Sequence, residues 1–140
     1  MAQASDDSSV AWDELTSRAS DVRTRARAPY SGFAVGACVL TTEGRSFVGC
    51  NVESRSYGLT ICAERHAVGA MIAAVGPAAR IRAVAIATDA AQPTPPCGAC
   101  REVLHELAAP GCEVRSVTLS GPSRTWRLDE LLPAPFELDD

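Results

Sequence analysis

Aromatic residues are scarce in this 140-residue chain, two Trp, two Tyr and three Phe, or 5% of the sequence. Basic residues are in deficit too: 13 Lys plus Arg stand against 17 Asp plus Glu, a formal net charge of −4. Nucleic-acid binding draws its affinity from clustered cations, and strand-tracking surfaces interleave them with aromatic faces. Such partners are therefore not expected, and the substrate should be small and not strongly anionic. No apolar run approaches the roughly 20 residues needed to cross a bilayer. The opening MAQASDDSSV lacks the basic region and apolar stretch of a secretory signal. The expectation is a cytoplasmic protein with no membrane partner.

What is present is an aliphatic core composition, 46% hydrophobic, in a length suited to one domain. Residues 1–9, rich in Ser, Asp and Ala, read as a loose tail in which Ser8 or Ser9 can cap a helix; residues 10–140 read as a single domain. Val10, Leu15, Ala19 and Val22 recur near helical spacing up to Arg27, with Asp13 and Glu14 early and arginines late, matching the helix dipole. Phe33 to Leu40 and Arg45 to Val52 read as a hairpin. Helices are expected over 62–75, ended by Gly76-Pro77, and over 97–108, ended near Pro110-Gly111. Ile81 to Thr88, Val114 to Leu119 and Thr125 to Leu128 supply three more strands, and Asp129 is expected to cap a short helix at 130–132. The fold class is α/β: a three-layer α/β/α arrangement around a mixed, five-stranded sheet.

Six cysteines without a secretion signal point to metal binding or catalysis rather than disulfides. Cys62-Ala63-Glu64 opens one predicted helix and Pro96-Cys97-Gly98-Ala99-Cys100 opens another. Three thiolates leave a tetrahedral zinc ion one open position, and zinc lowers the pKa of a water there towards about 7. Glu64 lies two residues from a ligand on the same first turn without being one, which suits it to accept and redeliver protons. Zinc-dependent deaminases use this combination of ligands and glutamate. The excess negative charge calls for compensation, which Arg65 and the two helix N-termini can give. One zinc ion per chain is expected. Two other readings stay open: a closed structural zinc site completed by Cys50, Cys112, His66 or His105, and a redox dithiol at Cys97 and Cys100, which leaves Cys62-Ala63-Glu64 unexplained. Cys38, Cys50 and Cys112 sit in strand-like runs and read as packing residues. Unaided by any comparison, Phe33 reads equally well as a core residue.

Pro29-Tyr30-Ser31-Gly32-Phe33-Ala34-Val35-Gly36-Ala37, Asn51-Val52-Glu53, Tyr57-Gly58-Leu59-Thr60, Cys62-Ala63-Glu64-Arg65 and Pro96-Cys97-Gly98-Ala99-Cys100-Arg101 together resemble the small homotetrameric, zinc-dependent cytidine deaminases. The resemblance runs from about Pro29 to Phe136. It implies hydrolytic deamination of cytidine and 2′-deoxycytidine to uridine and 2′-deoxyuridine in pyrimidine salvage. It further implies that Phe33 stacks on the pyrimidine, that Asn51 and Glu53 bind the ribose hydroxyls, and that the Ala63 N–H donates to the pyrimidine carbonyl. Tyr57 and Phe136 would face neighbouring subunits' sites in a homotetramer. Two positions depart from the family pattern: Arg55 where a small residue is usual, and Glu102 where Gln is usual. A related substrate such as blasticidin S, or a non-catalytic zinc-stabilised domain, is the alternative function.

Overall fold

The computed structural model describes residues 10–138. The expected tail and the Ser8 or Ser9 cap lie outside the described residues. The elements are α1 (Trp12–Arg23), β1 (Gly36–Thr41), β2 (Ser46–Cys50), a 3-10 turn (Tyr57–Leu59), α2 (Ala63–Val75), β3 (Ile81–Thr88), α3 (Gly98–Leu107), β4 (Ala108–Thr118), β5 (Ser123–Arg127) and α4 (Leu128–Leu131). The five strands form one sheet in the order β2-β1-β3-β4-β5. Only β3 and β4 run parallel, joined by the crossover through α3, so the sheet is mixed as expected. Among the described residues no helix is long and apolar enough to cross a membrane.

Strand alternation divides the core into two layers. On one face Leu15 and Ala19 of α1 pack on Cys38, Ala83, Ala85 and Ala87. On the other, Ala67, Val68 and Met71 of α2 and Leu104 of α3 cover Val39, Val84, Ile86 and Val114. Two glycines set how closely the helices approach. A Cβ on Gly36 would lie 2.0 Å from the Ala19 carbonyl oxygen in α1, and one on Gly49 would lie 2.4 Å from the Ala67 nitrogen in α2. Both helices rest directly on bare backbone.

Several boundaries differ from expectation for identifiable reasons. Helix α1 stops at Arg23, because the chain beyond it turns to pair with residues 51–53: Arg27 N–H donates to the Asn51 carbonyl at 3.0 Å and Glu53 N–H to the Arg27 carbonyl at 2.9 Å. Residues 33–35 lie outside β1, which starts at Gly36. Helix α3 ends at Leu107 rather than near Pro110, since Ala108 is already extended and pairs with Ile81. The next pairing in that register is Ala83 with Glu113, so β4 bulges between them, turning at Gly111 with φ 82°. The short last helix is capped by Arg127 rather than Asp129: the Arg127 N–H donates to Glu130 Oε1 at 2.8 Å, and Asp129 instead accepts from the Arg127 guanidinium.

Candidate metal centre and substrate cavity

Three otherwise separate segments converge beside α2. Val52 bridges in parallel to Arg27 and antiparallel to Ile61, so residues 51–53 lie between the exit of α1 and the entry to α2. This fixes Asn51, Glu53 and Cys62 relative to one another. Cys62 is the N-cap of α2 and Cys97 the N-cap of α3, both in extended backbone. Cys100 follows on the first turn of α3 and is buried. The loop before Cys97 is held from the sheet, where the Thr94 N–H donates to Oγ of buried Ser116 at 3.0 Å.

The sulfur atoms of Cys62, Cys97 and Cys100 all lie within 4.8 Å of one another, and Cys62 and Cys97 are 3.6 Å apart. Ligands about 2.3 Å from a tetrahedral zinc ion sit about 3.8 Å from each other. The donor set therefore fits one zinc ion per chain. Among the described residues no His, Asp, Glu or other Cys joins this group. The fourth ligands that a closed structural site requires are engaged elsewhere: His66 Nδ1 is 2.8 Å from the Cys50 carbonyl oxygen, and His105 Nε2 is 3.2 Å from Glu137. All six cysteines are free, and burial pushes Cys112 up to about 12. Cys38 is also buried and raised by desolvation, in keeping with a packing role.

The electrostatics favour thiolate at Cys62. Hydrogen bonding from Cys100, with further donation from Arg65 and Cys97, brings it down to about 5 against the cost of burial. Cys100 moves the opposite way because it is the donor to Cys62 and is itself buried. Arg65 Nη2 stands 3.6 Å from the Cys62 sulfur, and Arg65 Nε is buried without a hydrogen-bond partner among the described residues. The two helix N-termini add partial positive charge on the same side. Glu64 is 5% exposed, and burial pushes its carboxyl up to about 7, with the Cys62 charge acting in the same direction.

A cavity of about 200 Å³ opens on this cluster, walled by Phe33, Asn51, Cys62, Ala63, Glu64 and Cys97, with Val35, Thr60, Ile86, Thr94 and Pro95 completing its lining. Phe33 is 38% exposed and flanks the cavity, so the core-strand reading of this residue is corrected. Its backbone is held on both sides: the Phe33 N–H donates to Ser31 Oγ at 2.9 Å, and the Phe33 carbonyl accepts from Asn51 Nδ2 at 2.8 Å. Asn51 Oδ1 also accepts the Val35 N–H at 2.9 Å. Asn51→Ala would orphan both backbone groups, and each lost partner costs about 1–3 kcal/mol. A melting temperature lower by several degrees is expected, and an unchanged one would contradict this bonding.

Glu53 lies beside this cavity rather than in its lining. Its carboxylate accepts the Tyr30 and Ser31 N–H groups at 2.9 and 3.1 Å and the Ser31 hydroxyl, which holds its pKa below the usual carboxylate value. Tyr30, Ser31, Glu53, Tyr57 and Thr60 line a second, more open cavity of about 390 Å³ that meets the first at Thr60. Tyr57 packs edge-on to Tyr30 with ring centroids 6.0 Å apart. Phe136 is not among the residues that line the cavity on the cluster in its own chain; it is exposed in a groove on α3 with Glu102, His105 and Glu137. Glu102 thus faces the C-terminal segment, and Arg55 is exposed on the loop before the 3-10 turn. Sequence reasoning assigned no part to Ser31, Thr60, Thr94 or Arg101. Ser31 and Thr94 bond to Glu53 and Ser116, each 22 residues away, Thr60 accepts the Ser54 N–H within one loop, and the acceptors of Arg101 are backbone carbonyls that no motif announces.

Fold and site together define a zinc-dependent hydrolytic enzyme of the deaminase type. The profile of the cytidine and deoxycytidylate deaminase zinc-binding region matches residues 11–114. A cytidine deaminase of Mycobacterium tuberculosis is 43% identical over 131 residues, 94% of this chain and 93% of the relative. One from Halalkalibacterium halodurans is 40% identical over 127 residues, 90% of this chain and 94% of the relative. The crystal structure of cytidine deaminase from Burkholderia pseudomallei superposes with a TM-score of 0.84 at 41% identity, covering 91% of this chain and all, 100%, of that one. The chain belongs to the cytidine and deoxycytidylate deaminase family.

Proposed function

We propose that this protein hydrolyses the 4-amino group of free cytidine and 2′-deoxycytidine, releasing ammonia and leaving uridine and 2′-deoxyuridine for pyrimidine salvage in the cytoplasm. The observation that carries this reading is a buried carboxyl, Glu64, placed between a three-thiol cluster and a cavity walled by an aromatic ring and an amide. Zinc, when held by Cys62, Cys97 and Cys100, supplies Lewis acidity that activates the attacking water. Glu64 carries the protons: it takes one from the attacking water and gives it to N3 of the cytosine as the water oxygen bonds to C4, then takes the second from the resulting C4 hydroxyl and delivers it to the amino nitrogen as the C4–N bond breaks and ammonia leaves. Phe33 stacks on the pyrimidine and the Ala63 N–H, first in α2, donates to its carbonyl. Asn51 and Glu53 bind the ribose hydroxyls, and Arg65 offsets the thiolate charge.

In this reading the enzyme is a homotetramer in which Tyr57 and Phe136 complete a neighbour's site. Tyr57, in the lining of the more open cavity, is 76% exposed and Leu59 beside it is 70% exposed, so that rim carries apolar surface suited to cover by another subunit, while Phe136, in the groove on α3 and also 76% exposed, is free to reach a neighbour. Ammonia release from cytidine, deoxycytidine, cytosine, the two monophosphates and blasticidin S tests the substrate assignment. Turnover should be concentrated on the two free nucleosides. Reaction with blasticidin S alone would overturn the substrate, and zinc binding without ammonia from any pyrimidine would overturn the activity.

A further inference from the structure

We propose that Arg101 is a positioning residue that locks the Cys97 loop to the C-terminal segment, so that the metal cluster and the stretch carrying Phe136 move as one unit. The loop before Cys97 is built from Pro93, Pro95 and Pro96, which have no backbone N–H and cannot tie themselves into a ladder. The stretch after α4 has the same deficit at Pro133 and Pro135. One guanidinium spans the two. Arg101 Nε donates to the Pro96 carbonyl at 2.7 Å, and Arg101 Nη1 donates to the Leu131 carbonyl at 2.9 Å. Its backbone N–H donates to the Cys97 carbonyl at 2.9 Å as well.

Pro96 is fully buried and immediately precedes a ligand, so the first bond fixes where Cys97 enters α3. Leu131 is the last residue of α4, and its carbonyl is one of those that a helix end leaves without an internal partner. The planar fork of arginine serves two carbonyls from one rigid group; lysine has a single ammonium to offer. The inference rests on the reading of Cys97 and Cys100 as zinc ligands, around which partners of this kind typically tune affinity by about 10–100-fold.

The test compares zinc-loaded parent, Arg101→Met and Arg101→Lys, all full length. Zinc transfer to excess 4-(2-pyridylazo)resorcinol gives the release rate, and hydrogen exchange follows peptides covering 92–100 and 131–138. Arg101→Met should release zinc about tenfold faster. Exchange should rise in both segments together, while β1 and β3 keep the parent's protection. Arg101→Lys should fall between, and if Arg101→Met fails to fold, the lysine variant should still release zinc measurably faster than the parent. Release within twofold of the parent overturns the proposal. So does a rise in exchange in one segment alone or throughout the sheet, or full rescue by lysine, which would make the effect one of charge. A parent that holds no zinc would sink the metal reading instead, and the exchange measurements would still decide whether Arg101 couples the two segments.

Discussion

Glu64→Gln is expected to lower ammonia release from cytidine by about 10⁴-fold, at the upper end of what one positioned proton carrier contributes, while the variant keeps one zinc per chain. The substitution preserves shape in a site where only 5% of the residue is exposed. It removes the one carboxyl among the residues that line the substrate cavity. No other side chain there except the ligand thiols can take a proton and return it, so no substitute is at hand. Activity above a tenth of the parent's at full zinc content would place proton transfer elsewhere. Loss of zinc in this variant would mean that Glu64 acts mainly by holding the cluster.

Gly49→Ala should also cripple the enzyme, though the residue belongs neither to the cysteine cluster nor to the cavity lining. Its added Cβ would lie 2.4 Å from the Ala67 nitrogen, 2.6 Å from the Ala63 oxygen and 2.8 Å from the His66 Cβ. Two of these atoms are helix backbone and cannot swing aside. The first turns of α2 must back away from β2, and overpacking of this sort costs about 1–3 kcal/mol. The same turns begin at Cys62 and carry Glu64, so the displacement reaches the reacting groups directly. A shift on the order of 1 Å can cost about 10²-fold in rate. A melting temperature lower by about 5–10 °C and a fall in kcat are expected together. A parent-like kcat would show that β2 does not set the position of α2.

Much of the site was legible because its chemistry is local in sequence. Cys62-Ala63-Glu64 and Pro96-Cys97-Gly98-Ala99-Cys100 each occupy about one turn, and helix ends are announced by nearby breakers such as Gly76-Pro77 after α2. The strand order was not legible, because pairings such as Cys38 with Ala85 depend on distant partners. Phe33 shows the same limit on a smaller scale. Its neighbours are strand-like, yet it is held off the sheet by an amide 18 residues away. The bulge in β4 was hidden for a related reason: Pro110-Gly111 reads as a helix stop, and only the pairing of Ala108 with Ile81 makes it an interruption within a strand. Arg101 combines both difficulties, since one of its acceptors is 30 residues away and both are backbone atoms.

The two faces of β3 will respond to mutation by opposite routes. Under α1 the strand presents only Ala83, Ala85 and Ala87, while under α2 and α3 it presents Val84 and Ile86. Drift towards smaller side chains has almost nothing to remove from the alanine face, but any gain in size there must lift α1. On the opposite face the order is reversed, because truncation opens a void next to the cluster and modest exchange among aliphatic residues is absorbed. Adjacent codons in one strand are thus under contrary size constraints, alternating with the pleat.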